Sequence, residues 1–492
     1  MKLSELLTGL PVVFLSFEDP IIKGITSDSR SVQEGYLFIA EVGLTVDGHR
    51  FVQKAKEQGA AAVLVQREVP ENICQVRTPN TSLMMGILAS RFYERPSEKM
   101  RMIGITGTKG KTTTAFLTHY LLSLSGKSVG LLSSVRFQVG DVIEASHYTT
   151  QPAIPLQMKL KFSADSGASV MVMEVSSHAL KQRRVANIDY DVAVFTNLSH
   201  DHLDFHHTMD EYADAKSMLF SRLGNSDRTS KGFKYAVING DDVASAKMIS
   251  QCGVPVFTYG CGSDNLIKAE QIELFPEGSR FCLSWPQGET LVQLPLPGRF
   301  NIYNFMAAFC VAWLEGVDCK TILEQITHFP GVPGRFQQVQ CGQPYQIIID
   351  YAHTEESLRQ ALSTAREFTP GKLKVLFGCT GDRDRSKRPR MGEIAVSLAD
   401  EVVVTSDDPH SEDPESIINE IRNGIPLQTK NVQYVVDRRE AIEILLSSAM
   451  EGDTLLIAGK GHEQVQIFKD YQVPFSDETV VREFFQKSVH KE

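Results

Sequence analysis

Eight consecutive residues, Thr106-Gly107-Thr108-Lys109-Gly110-Lys111-Thr112-Thr113, have the types and spacing that suit a polyphosphate. Glycines let the backbone turn tightly and aim N–H groups at anionic oxygens, Lys111 adds a point charge, and the Thr112 hydroxyl can ligate Mg²⁺. The spacing departs from G-x-x-x-x-G-K-[ST], because position 105 is Ile and the additional glycines are Gly104 and Gly107. A glycine-rich turn without nucleotide is the competing reading. The apolar run Met102-Ile103-Gly104-Ile105 before the loop and a helix-like pattern after it favour phosphate.

Glu174-Val175-Ser176-Ser177-His178 follows another apolar run, and Glu174 with Thr112 would give a hard cation the oxygen ligands it prefers. A helix-capping acid is the alternative for Glu174. Residues 199–207 carry His200, His202, His206 and His207 with Asp201 and Asp204, a set equally suited to metal or proton chemistry and to a solvated loop. Helical spacing puts Lys216 on one face with Tyr212, Leu219 and Phe220. A surface lysine snorkelling past apolar neighbours is expected there, and a buried neutral amine, a nucleophile, is the alternative. Four polar loops each follow an expected strand: Asp350-Tyr351-Ala352-His353-Thr354, residues 378–385, Asp407-Asp408-Pro409-His410, and Gly459-Lys460-Gly461-His462-Glu463. Such loops meet on one rim of a parallel sheet, where open α/β folds bind ligands.

The elements that must position these residues read as α/β. Continuous apolar runs at 102–105, 170–173 and 192–195 suit strands covered on both faces of a parallel sheet, and runs at 347–349, 374–377, 401–405 and 454–458 repeat the pattern. Residues 20–95 form a smaller alternation of strands and a helix over 51–58. Breaks at Pro96-Ser97 and Pro330 to Gly334 divide the 492 residues into three domains, 1–98, 99–332 and 333–492. The expected class is a small N-terminal α/β domain, a central, mostly parallel sheet of the P-loop ATPase type, and a Rossmann-like C-terminal α/β domain. A net charge of −10 argues against broad nucleic-acid binding. Eight cysteines without C-x-x-C pairs signal neither zinc nor a disulfide framework, and no run approaches a membrane span, so a cytoplasmic protein is expected.

Taken together, Gly107-Thr108-Lys109-Gly110-Lys111-Thr112, Glu174 to His178, Asn197 to His206, Asn301 and Asn304, Gly334-Arg335, and Asp350 to Thr354 resemble the Mur ligases over nearly the whole chain. The resemblance implies ATP-dependent amide-bond synthesis for the bacterial cell wall, and through it cell shape and division. The carboxylate of UDP-MurNAc-L-Ala-D-Glu attacks the γ-phosphate of ATP, and a dibasic amino acid, meso-diaminopimelate or L-lysine, displaces the resulting acyl phosphate. It further implies that Gly107 to Thr113, Asn301, Asn304, Arg335 and Asp350 bind ATP. Thr112, Glu174, His202 and a carbamylated Lys216 would hold Mg²⁺, with Lys111, Glu174, His202 and Lys216 catalytic. Ser27 and Ser29, with His49-Arg50-Phe51, match uridine-binding segments, and Thr149, Thr150, Ser176, Gln182 and Arg184 match muramoyl-peptide contacts. Arg383, Asp407, Asp408, His410, Gly459 and Glu463 would take the amino acid. Diaminopimelate enzymes usually carry Asp-Asn-Pro-Arg where this chain has Asp407-Asp408-Pro409-His410, so the amino acid stays open. Other departures are Gln337 in place of Glu and Glu355 in place of Pro. A monomer is expected, with no nucleic-acid or membrane partner. A folylpolyglutamate synthetase-like ligase and a non-catalytic sensor of cell-wall nucleotides are the alternatives.

Overall fold

The computed structural model describes residues 1–43, 46–146, 148–226 and 228–489. Two compact units divide the chain, Met1–Lys268 with Tyr303–Ile322, and Ala269–Ile302 with Leu323–Glu492.

In the first unit a small sheet runs in the spatial order Val13–Phe14, Cys74–Arg77, Ala62–Val65, Tyr36–Ile39, Gly24–Thr26, parallel except for its first pair. Leu37, Ile39 and Leu64 pack towards Met84, Met85 and Leu88 of helix Thr81–Phe92, while Phe38 and Val63 pack towards Val52 and Ala55 on the other side. The helix expected over 51–58 is a 3₁₀ turn, Gly48–Phe51, followed by Val52–Glu57.

The second sheet of this unit carries six parallel strands in the order Val256–Gly260, Tyr235–Asn239, Val192–Phe195, Arg101–Thr106, Val170–Glu174, Val129–Leu132. An antiparallel hairpin, Arg136–Val139 and Val142–Ala145, extends its edge. Apart from Val256–Gly260 at the edge, the strands are buried on both faces, which explains their apolar runs. Arg101–Thr106 precedes the others in sequence, and the chain later adds strands on both of its sides. That is a topological switch point, with a crevice beyond the carboxyl ends of the strands. Register brings Glu174 opposite Ile105 and Phe195 opposite Thr106, so three loops leave the sheet side by side.

The second unit holds the hairpin Gly278–Trp285 and Gly288–Leu294 and a six-stranded sheet. The sheet order is Gln337–Gln338, Gln346–Asp350, Thr454–Ala458, Leu373–Phe377, Glu401–Thr405, Val432–Val435, parallel except for the first strand. Ile348, Val375, Val404 and Leu456 pack with Leu358, Leu362 and Met391 on one face, and Ile347, Ile349, Leu376 and Leu455 with Ala441, Ile442 and Leu445 on the other. The expected α/β class therefore holds for the three larger sheets. Among the described residues no helix is long and apolar enough to cross a membrane.

Candidate active site

Strand Arg101–Thr106 leads into loop 107–110, and helix Lys111–Ser123 follows. Gly107 (φ 151°) and Gly110 (φ 82°) adopt backbone conformations that side chains rarely tolerate. A Cβ on Gly107 would lie 1.9 Å from Thr196 Oγ1, and one on Gly110 2.3 Å from Asn304 Oδ1. Asn197 holds the loop from the neighbouring strand end: its O accepts from Thr108 N (2.8 Å), its Oδ1 from Lys109 N (2.9 Å), and its Nδ2 donates to Lys109 O (3.1 Å). The sequence motif alone gives Asn197 no role, because its partner Lys109 lies 88 residues away along the chain. Thr113 is buried in the first helical turn, and Thr112 Oγ1 donates to Glu174 Oε2 at 3.1 Å while Ser134 N donates to Glu174 Oε1 at 2.7 Å. Glu174 is therefore not a helix cap. Ser176 caps Ser177–Lys181, accepting from Ala179 N at 3.2 Å. Adjacent hard oxygen donors on Thr112 and Glu174 fit Mg²⁺.

Two lysines converge on one carbonyl of the loop. Lys111 Nζ donates to Gly107 O (2.9 Å) and Thr108 O (2.8 Å), and Lys216 Nζ reaches Gly107 O at 2.7 Å. Lys216 is 1% exposed, against the surface position expected from its spacing alone. Its helix, Met209–Ser221, buries the whole face formed with Tyr212, Leu219 and Phe220, and Nζ lies 4.2 Å from the Tyr212 ring centroid. Burial, with the Lys111 charge and against Asp201, pushes the Lys216 pKa well below the ordinary lysine value. A neutral amine is what reaction with CO₂ requires. The Tyr212 hydroxyl is 3.2 Å from Thr108 Oγ1, a tie between this helix and the loop.

The histidines divide. His178, His202 and His206 cluster, with the His178 ring centroid 4.8 Å from His202 and 5.5 Å from His206. Burial and the neighbouring His178, Lys216 and His202 charges push His206 down to about 4. His200, His202 and His207 are all exposed, and of these His202 meets the cluster, its ring edge-on to His178, while the solvated-loop reading fits His200 and His207; the Asp204 side chain lies outside the described residues.

Thr150, Ser176, Gln182 and Arg184 form one network beside Glu174. Thr150 Oγ1 donates to Glu174 O (2.9 Å) and accepts from Ser176 N (3.0 Å). Arg184 donates to Thr150 O (3.0 Å) and, through Nε and Nη2, to Gln182 Oε1 (3.0 and 2.7 Å). Neutral acceptors hold this guanidinium, which leaves its charge for an anionic substrate group. Thr149 adjoins the network and is half-buried. In the small sheet Ser29 is buried and Ser27 exposed, on a turn capped by Asp28. The His49 ring is committed to Asp47 (2.6 Å) and Gln66 N (3.0 Å), so Arg50 and Phe51 are the exposed members of that segment.

In the second unit the four polar loops leave one rim, because Gln346–Asp350, Thr454–Ala458, Leu373–Phe377 and Glu401–Thr405 are parallel neighbours. Asn301 Nδ2 donates to Pro297 O at 2.9 Å, Asp350 Oδ2 accepts from Phe336 N at 2.7 Å, and the Arg335 guanidinium lies 4.8 Å from the Tyr351 ring centroid. Between the loops, buried Lys460 Nζ is 2.7 Å from Asp408 Oδ1, 2.9 Å from Glu463 Oε2 and 4.0 Å from Asp407 Oδ1. Burial disfavours the Lys460 charge, yet Asp407, Glu463 and Asp408 outweigh it and hold its pKa above the ordinary lysine value. Burial raises the Glu463 pKa against the pull of Lys460. Asp407 is 3% exposed, and its Oδ2 has no hydrogen-bond partner among the described residues. A Cβ on Gly459 would lie 2.6 Å from that oxygen. Buried Arg438 also acts on Asp407 and Asp408 but is paired with Asp477, so carboxylates still outnumber cations in this pocket. Lys460, missed as a site residue, is legible only as a lysine between two glycines at a strand end. Arg383 is exposed, and His410 is half-buried with its N donating to Ile467 O at 3.1 Å.

Sequence patterns of known families match three segments: the Mur ligase family, catalytic domain over residues 21–93; the Mur ligase middle domain over 105–312; and the Mur ligase, glutamate ligase domain over 334–461. UDP-N-acetylmuramoyl-L-alanyl-D-glutamate--2,6-diaminopimelate ligase of Geobacillus thermodenitrificans (strain NG80-2) is 42% identical over 483 residues, covering 98% of this chain and 99% of its own length. The chain belongs to the Mur ligase family. As a Mur ligase it is an ATP-dependent enzyme that forms amide bonds. The like-named Listeria monocytogenes protein (serovar 1/2a, strain ATCC BAA-679 / EGD-e) is 40% identical over 492 residues, 99% of each chain. A solved structure of a UDP-N-acetylmuramoyl-L-alanyl-D-glutamate--2,6-diaminopimelate ligase matches with TM-score 0.71 at 31% identity, covering 100% of this Mur ligase and 99% of that chain. Mycobacterium tuberculosis folylpolyglutamate synthase shares the fold, with TM-score 0.60 at 18% identity over 83% of this chain and 95% of its own.

Proposed function

We propose that this Mur ligase joins meso-diaminopimelate to UDP-MurNAc-L-Ala-D-Glu, as a cytoplasmic monomer with domains 1–98, 99–332 and 333–492. The names of relatives at 40–42% identity supply both substrates. One observation carries the dibasic acceptor: the Asp407, Asp408 and Glu463 group around Lys460, whose unpartnered Asp407 oxygen an incoming ammonium satisfies.

In this reading Ser27 and Ser29 meet uridine, and Thr149, Thr150, Ser176, Gln182 and Arg184 hold the muramoyl peptide. Asn301 and Asn304 take adenine, and Arg335 and Asp350 contact ATP. The D-glutamate carboxylate oxygen attacks the γ-phosphorus, ADP leaves, the amine attacks the acyl carbon, and phosphate leaves with the C–O bond. Lys111 and the N–H groups of residues 107–113 face the charge that spreads over the transferring oxygens. Lys216 adds its nitrogen to CO₂ and loses a proton, becoming a carbamate. Thr112, Glu174, His202 and that carbamate are the groups that would hold Mg²⁺, which neutralises phosphate charge when bound. A sensor of cell-wall nucleotides needs none of this machinery. Incubation with ATP, Mg²⁺, UDP-MurNAc-L-Ala-D-Glu and each amino acid tests the reading: phosphate release must depend on all of them, and release with no amino acid dependence rejects it.

L-Lysine is the second reading, and His410 favours it. A bidentate guanidinium for a distal carboxylate is absent at 410, while Asp408 adds a carboxylate suited to an amine. His410→Arg should improve the diaminopimelate-to-lysine preference by about tenfold, equivalent to about 1.4 kcal/mol. An unchanged preference removes position 410 as selector.

A further inference from the structure

Loops 378–385 and 406–412 are locked to each other where Arg383 and His410 stand. They leave the parallel neighbours Leu373–Phe377 and Glu401–Thr405. Their backbones touch: Gly381 N donates to Asp408 O at 2.8 Å, and a Cβ on Gly381 would lie 1.8 Å from Pro409 O. Side chains then cross in both directions. Ser411 N and Oγ donate to the Asp382 oxygens at 3.1 and 2.6 Å, and Asp382 N donates to Glu412 Oε1 at 2.7 Å. Glu412 is gripped from beneath by Arg388, with two bonds of 2.9 Å, and by Arg385 at 2.8 Å, while Arg388 also reaches Glu420 at 2.8 Å. Arg388 is 0% exposed, so its charge depends on these carboxylates.

The backbone shows what the lock holds in place. Asp382 (φ 56°) and His410 (φ 51°) are both left-handed without being glycine, a conformation that persists only where the surroundings enforce it. Asp382 immediately precedes Arg383, and His410 immediately precedes Ser411. The enforced turns therefore fix the backbone that carries Arg383 and His410, the two side chains assigned to the distal group of the amino acid.

We propose that Glu412, with Ser411 and Arg388, is a positioning clamp that fixes Arg383 relative to His410 and so sets discrimination by the distal group of the amino acid. This rests on the assignment of Arg383 and His410 to the amino-acid site. The clamp residues act through those two side chains, so the effect falls on the amino acid and not on ATP or the sugar nucleotide.

The test is steady-state phosphate release by the full-length enzyme with meso-diaminopimelate or L-lysine varied. Glu412→Gln should raise the KM of the preferred amino acid about 10- to 100-fold, the scale of a displacement of about 1 Å. Its kcat and its KM for ATP should stay within about twofold, as expected when only binding of one substrate is lost. Ser411→Ala, which leaves Arg388 paired, should raise the same KM by a smaller factor and decides the matter if Glu412→Gln does not fold. Glu412→Asp should recover part of the loss, and the ratio between the two amino acids should move towards one. A fall in kcat alone, or an unchanged amino-acid KM in both variants, overturns the proposal. Arg383→Ala separates the two layers: a normal KM there overturns the site assignment and the clamp with it, whereas a raised KM there with normal clamp variants overturns the clamp alone.

Discussion

Lys216 shows how one residue's chemistry depends on what surrounds it. A fully buried ammonium beside Lys111 is costly, and among the described residues its Nζ meets a carbonyl and a ring face, Gly107 O and Tyr212. The proposed carbamate would instead make this group anionic and supply an oxygen ligand. Lys216→Ala should lower turnover by about 10²- to 10³-fold, the usual loss for one electrostatic group at a reacting centre, and a short carboxylate added to the assay should restore part of it. Undiminished phosphate release by the variant would remove Lys216 from the chemistry. Sequence spacing placed Lys216 on the right helical face and misjudged its depth, because a lysine among apolar neighbours reads the same whether its end reaches water or not. A second residue-scale prediction concerns His119, which meets Val129 O at 3.2 Å and which burial pushes down to about 4 from 6.5. Between those values the unfolded chain holds a proton that the folded chain lacks, so stability present above pH 6.5 drains as pH falls towards 4, by about 1.4 kcal/mol per pH unit at most. His353 shares the same direction and the same cause. Thermal melts across this range should fall with pH, and His119→Gln should flatten the slope; a parallel curve contradicts the assignment.

At the scale of elements, the phosphate loop is built as much by its neighbours as by its own glycines. Loop 196–199 supplies the Asn197 bonds, and Asn304 closes on Gly110. Gly110→Ala should therefore weaken ATP binding by more than tenfold, about 1.4 kcal/mol or more, without unfolding the protein. Calorimetric titration with ATP reads this directly, and wild-type affinity would mean that the loop tolerates the clash. Strands and the loops that follow them were legible because parallel strands covered on both faces leave continuous apolar runs at 170–173, 192–195 and 401–405. The clamp was not legible. Arg385, Arg388, Glu412 and Glu420 are charged residues scattered along two segments, and such scatter reads as a solvated surface until the sheet makes the two loops neighbours. Lys460 escaped for a related reason, since its burial depends on the Asp407-Asp408 loop from another strand.

For the whole molecule, the order of motifs along 492 residues was enough to recognise a Mur ligase, and the relatives at 40–42% identity and the matching family segments carry that recognition to ATP-dependent amide synthesis. Choice of amino acid lies at another level, which we propose is set at Asp408 and His410 and which no count of motifs resolves. One competition measurement tests the central claim. The enzyme, ATP, Mg²⁺ and UDP-MurNAc-L-Ala-D-Glu are mixed with equal meso-diaminopimelate and L-lysine, and the UDP-linked products are separated by mass. The account predicts a tripeptide product formed in step with phosphate release, with diaminopimelate in excess. Phosphate release without any tripeptide, or no turnover with either amino acid, would contradict it.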